Sequence, residues 1–256
     1  MVCADMFYGL YLSAAGATAQ NQKVEVLSNN LANVDTAGFK RELALLESRD
    51  SEAIERGLAM RGSRSLNDVG GGTDQDETFT DFSRGTLRTT DIDTDFALEQ
   101  PNAFFLVQRG QEKLLTRAGN FRRSSEGELR TGEGDVVLSS DGSPISIDSR
   151  LPWEVLPGGV ISQAGSAQQL GIVQVDRFTS LTKVGDNYFS APTKSVTPVA
   201  EEDRLVRRGV LEGSGVNPVS EMVELIAAQR AFETSTRMIQ NHDAITSSLI
   251  SRMLRV

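Results

Sequence analysis

The chain has 256 residues and a mass of 27.7 kDa, enough for one large domain or two ordinary ones, and its 26 Lys and Arg against 35 Asp and Glu give a net charge of −9. With no basic run longer than the pairs Arg122–Arg123 and Arg207–Arg208, it lacks the clustered cations that a nucleic-acid partner requires. One cysteine, Cys3, and one histidine, His242, exclude an intramolecular disulfide, a Cys-based zinc site and a His cluster, and neither a P-loop nor a Rossmann glycine fingerprint is present.

Near the start, Cys3, Met6, Leu10, Ala14, Ala17, Val24, Leu27, Leu31 and Val34 recur at gaps of mostly three and four, the stripe of an amphipathic helix. Gly9 and Gly16 each weaken such a helix by about 1 kcal/mol relative to Ala, while small residues from Ala14 to Ala19 let a partner helix approach closely. Gly38 suits a left-handed helix terminus. The apolar run Met6–Ala17 followed by Ala17-Thr18-Ala19 has the outline of a signal peptide. Asp5 and the absence of a preceding Lys or Arg argue against one.

Residues 41–60 have helix-forming composition, with Leu43, Leu46, Ile54 and Leu58 in or near helical phase. Residues 61–81 are polar, glycine-bearing and acidic, and read as an extended connector. From Phe82 to Gly213, short apolar runs at Phe104–Val107, Asp135–Leu138, Gly171–Val175 and Asn187–Ser190 predict a β region. Asp141–Gly142, Gly158–Gly159 and Gly185–Asp186 mark its turns. Asp91, Asp93 and Asp95 would share one face of a strand, but they lack the glycine and distal glutamate of a calcium loop.

The last segment is the strongest helix. All 7 prolines fall between Pro101 and Pro218, and none of the 23 glycines lies beyond Gly215. Asn217 is an N-cap, Pro218 fits the first turn, and Glu221 and Glu224 favour the positive end of the dipole. A helix from Pro218 to Leu254 would be roughly 55 Å long at ~1.5 Å per residue, too long for a small domain to bury alone. It therefore calls for a partner helix.

Two motifs carry a resemblance to a known family. Leu27-Ser28-Asn29-Asn30-Leu31-Ala32-Asn33 with Thr36-Ala37-Gly38-Phe39-Lys40 resembles the N-terminal signature of the bacterial flagellar basal-body rod and hook proteins. Val210-Leu211-Glu212-Gly213-Ser214, Glu221–Ile226 and Gln229-Arg230-Ala231-Phe232-Glu233 resemble its C-terminal motif, and Thr116-Arg117-Ala118-Gly119-Asn120-Phe121 resembles its central β domain. Pro101-Asn102-Ala103 and Gly215 depart from that pattern.

The resemblance implies an α+β fold: long N- and C-terminal helices paired as a coiled-coil-like domain (1–40 with 217–256), an extended connector (41–84) and a central all-β domain (85–216). It implies a structural subunit rather than an enzyme, polymerising through its terminal helices into the hollow axial shaft that carries torque from motor to hook. The segment Gly209–Val219 favours the proximal rod over the distal rod. Implied partners are copies of the chain, neighbouring rod subunits, hook or ring proteins and the flagellar type III export apparatus. The implied location is the basal-body rod crossing the periplasm, reached without signal cleavage, with no nucleic acid and no membrane insertion.

No residue stands out as catalytic, cofactor-binding or metal-binding. The expected assembly interface comprises Leu10, Leu27, Asn30, Leu31, Asn33, Leu225, Phe232, Ile239, Ile245 and Leu249. Asn30 and Asn33 either face solvent or fix register between helices, as a buried amide does in a coiled coil. Phe104, Phe105 and Trp153 are expected in the β core, and His242 as a packed side chain without a metal. The alternative is a soluble β-domain enzyme, or a binding module with a helical oligomerisation element; no carboxylate spacing singles out an acid–base pair.

Overall fold

The computed structural model describes residues 2–58, 60, 62, 70–148, 150–185, 187–200 and 203–253. The chain forms two compact units, one from Met1–Leu31, Glu42–Thr80 and Asn217–Val256, the other from Ala32–Arg41 and Asp81–Val216. The fold is α+β, with a helix near each end of the sequence and a mostly antiparallel β region between them.

The first unit contains α1 (Val2–Ala32), β1 (Glu42–Arg49), the one-turn α2 (Glu52–Glu55), β2 (Gly72–Thr80) and α3 (Pro218–Met253). At the start of α3, the Asn217 Oδ1 accepts from the backbone N–H groups of Val219 (3.1 Å) and Ser220 (3.4 Å), as an N-cap should. The helix then runs 36 residues without interruption. α1 stops at Ala32 rather than at Gly38. The chain turns next, with Thr36 N–H donating to Asn33 O at 3.2 Å, and Gly38 takes its left-handed φ of 70° in that turn.

Of the helix-forming stretch 41–60, Glu42–Arg49 is a strand and only the single turn Glu52–Glu55 is helical. Glu42 to Arg49 pairs antiparallel with Thr80 to Gly72, with a register shift between Ala44 and Leu46. The reason is tertiary: the Asn30 side chain donates to Glu42 O (2.8 Å) and accepts from Glu42 N–H (2.9 Å). Those two backbone groups are thereby held in an extended segment, and the β2 ladder takes up the rest. The stretch read as an open connector is therefore half of a hairpin; residues 63–69 of it lie outside the described residues. At the hairpin's far end only glycine fits at Gly71, where a Cβ would stand 1.9 Å from Asp50 O.

In the second unit, two ladders tie late strands to early ones. β3 (Leu87–Thr89) pairs with β18 (Val210–Glu212), and β4 (Phe96–Leu98) with β17 (Val206–Arg208). The main sheet has nine strands around β5 (Ala103–Arg109). One side of β5 pairs with β6 (Glu112–Thr116), then β15 (Tyr188–Ser190) and β14 (Thr182–Lys183). Its other side pairs with β13 (Ile172–Val175), which leads to β16 (Val196–Pro198). Further along, that same side pairs with β9 (Val136–Val137), which leads to β8 (Leu129–Arg130) and β7 (Arg122–Arg123). A separate antiparallel sheet joins β10 (Trp153–Leu156), β11 (Val160–Gln163) and β12 (Ser166–Gln169).

The period of two along β5 divides its side chains between two cores. Phe105 and Val107 join Phe96, Leu114, Phe121, Leu129, Val137 and Ile172 on one face, with Trp153 packed at the margin. Phe104 joins Leu115, Val173, Val175 and Phe189 on the other, with Leu106 partly covered beside them. The alternating aspartates do not form a strand face. Asp91 has a left-handed φ of 58°, Asp95 is buried and accepts from Thr90 Oγ1 at 2.6 Å, and Asp93 pairs with Arg208 at 2.6 Å.

At one edge of the first core the Tyr188 hydroxyl donates to Thr131 Oγ1 (3.0 Å), and the Arg109 guanidinium lies 4.3 Å from the ring centroid. Arg109 is itself held by Asp135 at 2.8 Å. Burial pushes the Tyr188 phenol up from 10.0 to about 12. The folded state thus holds a proton that the unfolded chain releases, so folding stability falls as the pH rises from 10.0 toward about 12. In an alkaline absorbance titration, Tyr188→Phe should remove the phenolate step near pH 12. It should also flatten the loss of denaturant midpoint above pH 10.

Candidate functional site

Within the first unit, α1 and α3 meet along a repeated spacing. Gly9 faces His242, Gly16 faces Ser235, Lys23 lies 4.0 Å from Glu224, and Asn30 bonds Glu221. The α1 positions are seven residues apart and their partners descend along α3, so the two helices pack antiparallel. A Cβ on Gly9 would sit 3.0 Å from His242 Cε1, and one on Gly16 would sit 3.6 Å from Ser235 Oγ. The glycines that weaken α1 as a free helix therefore admit side chains of α3. Ala19, Leu27 and Ala228 are buried here as well.

Asn30 is the polar centre of this unit. Its side chain is fully buried, and besides its two bonds to the Glu42 backbone its Nδ2 donates to Glu221 Oε2 at 3.2 Å. One amide thus binds α1, β1 and α3 together. Glu221, whose sequence position suggests only a favourable helix-dipole charge, is equally buried.

The other expected interface residues divide by exposure. Leu27 is buried, while Leu10, Leu31, Asn33, Leu225 and Ile239 are half-buried. Phe232, Ile245 and Leu249 are exposed, at 37%, 54% and 43%. The expected list omits Val219, Met222, Val223 and Ile226, which are also exposed and lie within about one third of the helix circumference. Their i, i+3, i+4, i+7 spacing was available as a signal. Asn21 bonds Glu25 on the surface, and the side chain of Cys3 lies outside the described residues.

The second unit brings the three sequence motifs together at a buried charge cluster. Glu212 lies between two cations: Lys40 Nζ is 2.7 Å from its Oε1, and Arg117 Nη2 is 2.7 Å from its Oε2. All three side chains are 1% exposed or less. The remaining donors are also used. Lys40 donates to Ser83 O (2.8 Å), Arg117 donates to Gln100 O (2.6 Å) and Ala103 O (2.5 Å), and Gly85 N–H donates to Glu212 Oε1 (3.0 Å). Burial pushes both the Lys40 ammonium and the Arg117 guanidinium below their ordinary values, against the pull of Glu212.

Backbone bonds reinforce the junction. Gly38 N–H donates to Glu212 O (2.8 Å), and Gly215 N–H donates to Phe39 O (2.9 Å). A Cβ on Gly38 would lie 2.5 Å from Arg117 C, so this position requires glycine both for its φ and for its space. Lys40, Arg117 and Glu212 each stand in a recognisable motif, but no spacing in one sequence reveals that they form a single cluster. Among the described residues no group of His, Cys, Asp and Glu could hold a metal ion.

Comparison with known proteins follows the same three regions. Residues 10–40 match the family described as flagella basal body rod protein, residues 100–174 the flagellar hook protein FlgE/F/G D1 domain, and residues 207–252 the flagellar basal body rod FlgEFG protein C-terminal region. The flagellar basal-body rod protein FlgG of Borreliella burgdorferi is 31% identical over 253 residues, covering 93% of this chain and 96% of its own. The rod protein FlgF of Caulobacter vibrioides is 29% identical over 249 residues, covering 96% and 98%. FlgG of Bacillus subtilis is 29% identical over 262 residues, covering 96% and 99%.

The charge cluster makes a directional prediction. Glu212→Gln leaves two buried cations without an anion and should lower unfolding stability by about 3–5 kcal/mol. Lys40→Met removes the surplus cation and leaves Arg117 paired, so its loss in urea denaturation should be less than half as large.

Proposed function

This chain belongs to the flagellar basal-body rod protein family and is a structural subunit rather than an enzyme; from that premise we propose that it polymerises through its terminal helices. In the assembled rod, residues 1–40 with 217–256 act as the assembly domain and residues 85–216 as the β domain, with 41–84 linking them as a hairpin. The subunits stack into a hollow axial shaft that carries torque from motor to hook.

The observation that carries this reading is the exposed apolar series of α3. Phe232, Ile245 and Leu249 remain open to solvent after α3 has packed against α1, and Val219, Val223 and Ile226 add a second exposed set. Leaving that much apolar surface on two sides of one helix is costly in a monomer and useful in a polymer. Paired helices of this length, with contacts seven residues apart along α1, support a coiled-coil-like arrangement in the rod. Residues 218–256 hold four basic and four acidic side chains, so like-charge repulsion does not oppose the stacking of many copies.

The partners in this reading are other copies of the chain, neighbouring rod subunits, and hook or ring proteins at the ends and periphery of the shaft. Delivery is by the flagellar type III export apparatus without signal cleavage, and the working location is the rod where it crosses the periplasm. Among the described residues no helix is long and apolar enough to cross a membrane. The segment Gly209–Val219 favours the proximal over the distal rod.

One double variant tests the reading. Ile245→Asp with Leu249→Asp changes side chains that are exposed in the monomer, so its thermal unfolding should shift by no more than about 0.5 kcal/mol. The same pair should abolish recovery of the subunit in purified basal bodies, and with it swimming. Full incorporation of this stable double variant would refute assembly through α3.

A further inference from the structure

The second face of the nine-stranded sheet is not fully covered. A groove of about 400 Å³ opens there, with Leu106, Leu115, Val173, Val196 and Pro198 along its floor and walls. Lys113 stands at its rim, with its ammonium against Gly142. Among the described residues Lys113 forms no ion pair; Asp141, on the adjoining turn, forms none with it.

The sheet register continues this basic rim away from the groove. Lys113 is opposite Gln108, Gln108 is opposite Val136, Val136 is opposite Arg130, and Arg130 is opposite Arg122. Directly opposed residues of antiparallel strands share a face, so one line of side chains crosses five strands from the groove to Arg122. Arg130 is already held by Glu128 at 2.7 Å and Glu126 at 3.8 Å, whereas Arg122 is exposed and has no carboxylate partner among the described residues. Two arginines facing each other across a ladder destabilise it. In a chain of net charge −9, this row carries two cations without a carboxylate partner among the described residues, Lys113 and Arg122, in line with an open apolar groove.

We propose that this face is a docking site for an extended acidic polypeptide segment of a partner protein, with an apolar anchor in the groove and carboxylates on Lys113, Arg130 and Arg122. Charge complementarity carries the choice of occupant, and the strand spacing sets its length. At ~4.8 Å between strands, Arg130 lies roughly 14 Å and Arg122 roughly 19 Å from Lys113. An extended chain rising ~3.4 Å per residue covers those spans in about four and about six residues. The occupant therefore carries its distal acidic residues four to six positions beyond the one that meets Lys113. The site is independent of the helical surface argued above.

The test uses the full chain and a synthetic peptide, Leu-Leu-Glu-Ser-Gly-Ser-Glu-Ser-Glu, carrying an uncharged fluorophore and read by anisotropy. Binding should weaken at least tenfold when the three glutamates become glutamines, and at least tenfold in the double variant Lys113→Glu with Arg122→Glu. Ala191→Leu, which narrows the groove from its half-buried wall, should weaken it comparably, with retained near-UV circular dichroism showing the variants folded. Raising the salt from about 50 to about 500 mM should also release the peptide. No binding at 1 mM peptide, equal binding of the glutamine version, or equal binding by the charge-reversed variant would overturn the proposal. So would vesicles of anionic lipid that bind through the same residues while the peptide does not.

Discussion

A single carboxylate holds the β unit together. Glu212 is buried between Lys40 and Arg117, three charges with 1% exposure or less, and each comes from a different stretch of the chain. Removing charges from water is expensive, and mutual attraction offsets that cost only when geometry is good and remaining polar atoms are satisfied. Both conditions are met. Contacts are 2.7 Å on each side, and backbone carbonyls of Ser83, Gln100 and Ala103 receive other N–H groups of the two cations. An apolar trio could fill the same volume, but it would not dictate which three segments meet. The ionic cluster specifies a unique closure, in which Gly38 and Gly215 lie beside it because the backbones come too close for anything bulkier at the first of these positions.

The helical unit follows a different rule. There one neutral amide, Asn30, does the joining, with bonds to an extended backbone on one side and to the Glu221 carboxylate on the other. Further contacts with α3 follow along α1 at intervals of seven residues, from Lys23, Gly16 and Gly9. The glycines of α1 belong to this contact: Gly9 and Gly16 sit where α3 presents His242 and Ser235. The lack of glycine in α3 and its presence in α1 are thus two halves of one interface. A helix that supplies side chains can be uniformly regular, whereas the one that receives them needs room.

Much of this was legible from residue patterns alone. The cap at Asn217, the glycine-free stretch beyond it and the apolar run Phe104–Val107 are local signals, and each produced the element it indicates. What failed was local preference overruled at a distance. Glu42–Arg49 has the composition of a helix, yet the amide of Asn30 and the strand Gly72–Thr80 claim its backbone. Asp91, Asp93 and Asp95 alternate like a strand face, but the left-handed Asp91 breaks the alternation and gives each carboxylate a separate role. The interface residues were readable as a stripe, though not which members remain open once α1 and α3 have met. The charge cluster was invisible for a simpler reason: its members are separated by 172 and 95 residues, and no periodicity spans such gaps.

That separation has a consequence for the order in which the protein can acquire its structure. A chain made from its N-terminus presents Lys40 early and Arg117 midway, and both wait for an anion near the end of synthesis. Until Glu212 emerges, β3 and β4 also lack the strands that pair with them. Closing so wide a loop is slow relative to local contacts. The junction of Lys40, Arg117 and Glu212, with the two ladders beside it, therefore closes only after every strand of the nine-stranded sheet is already available.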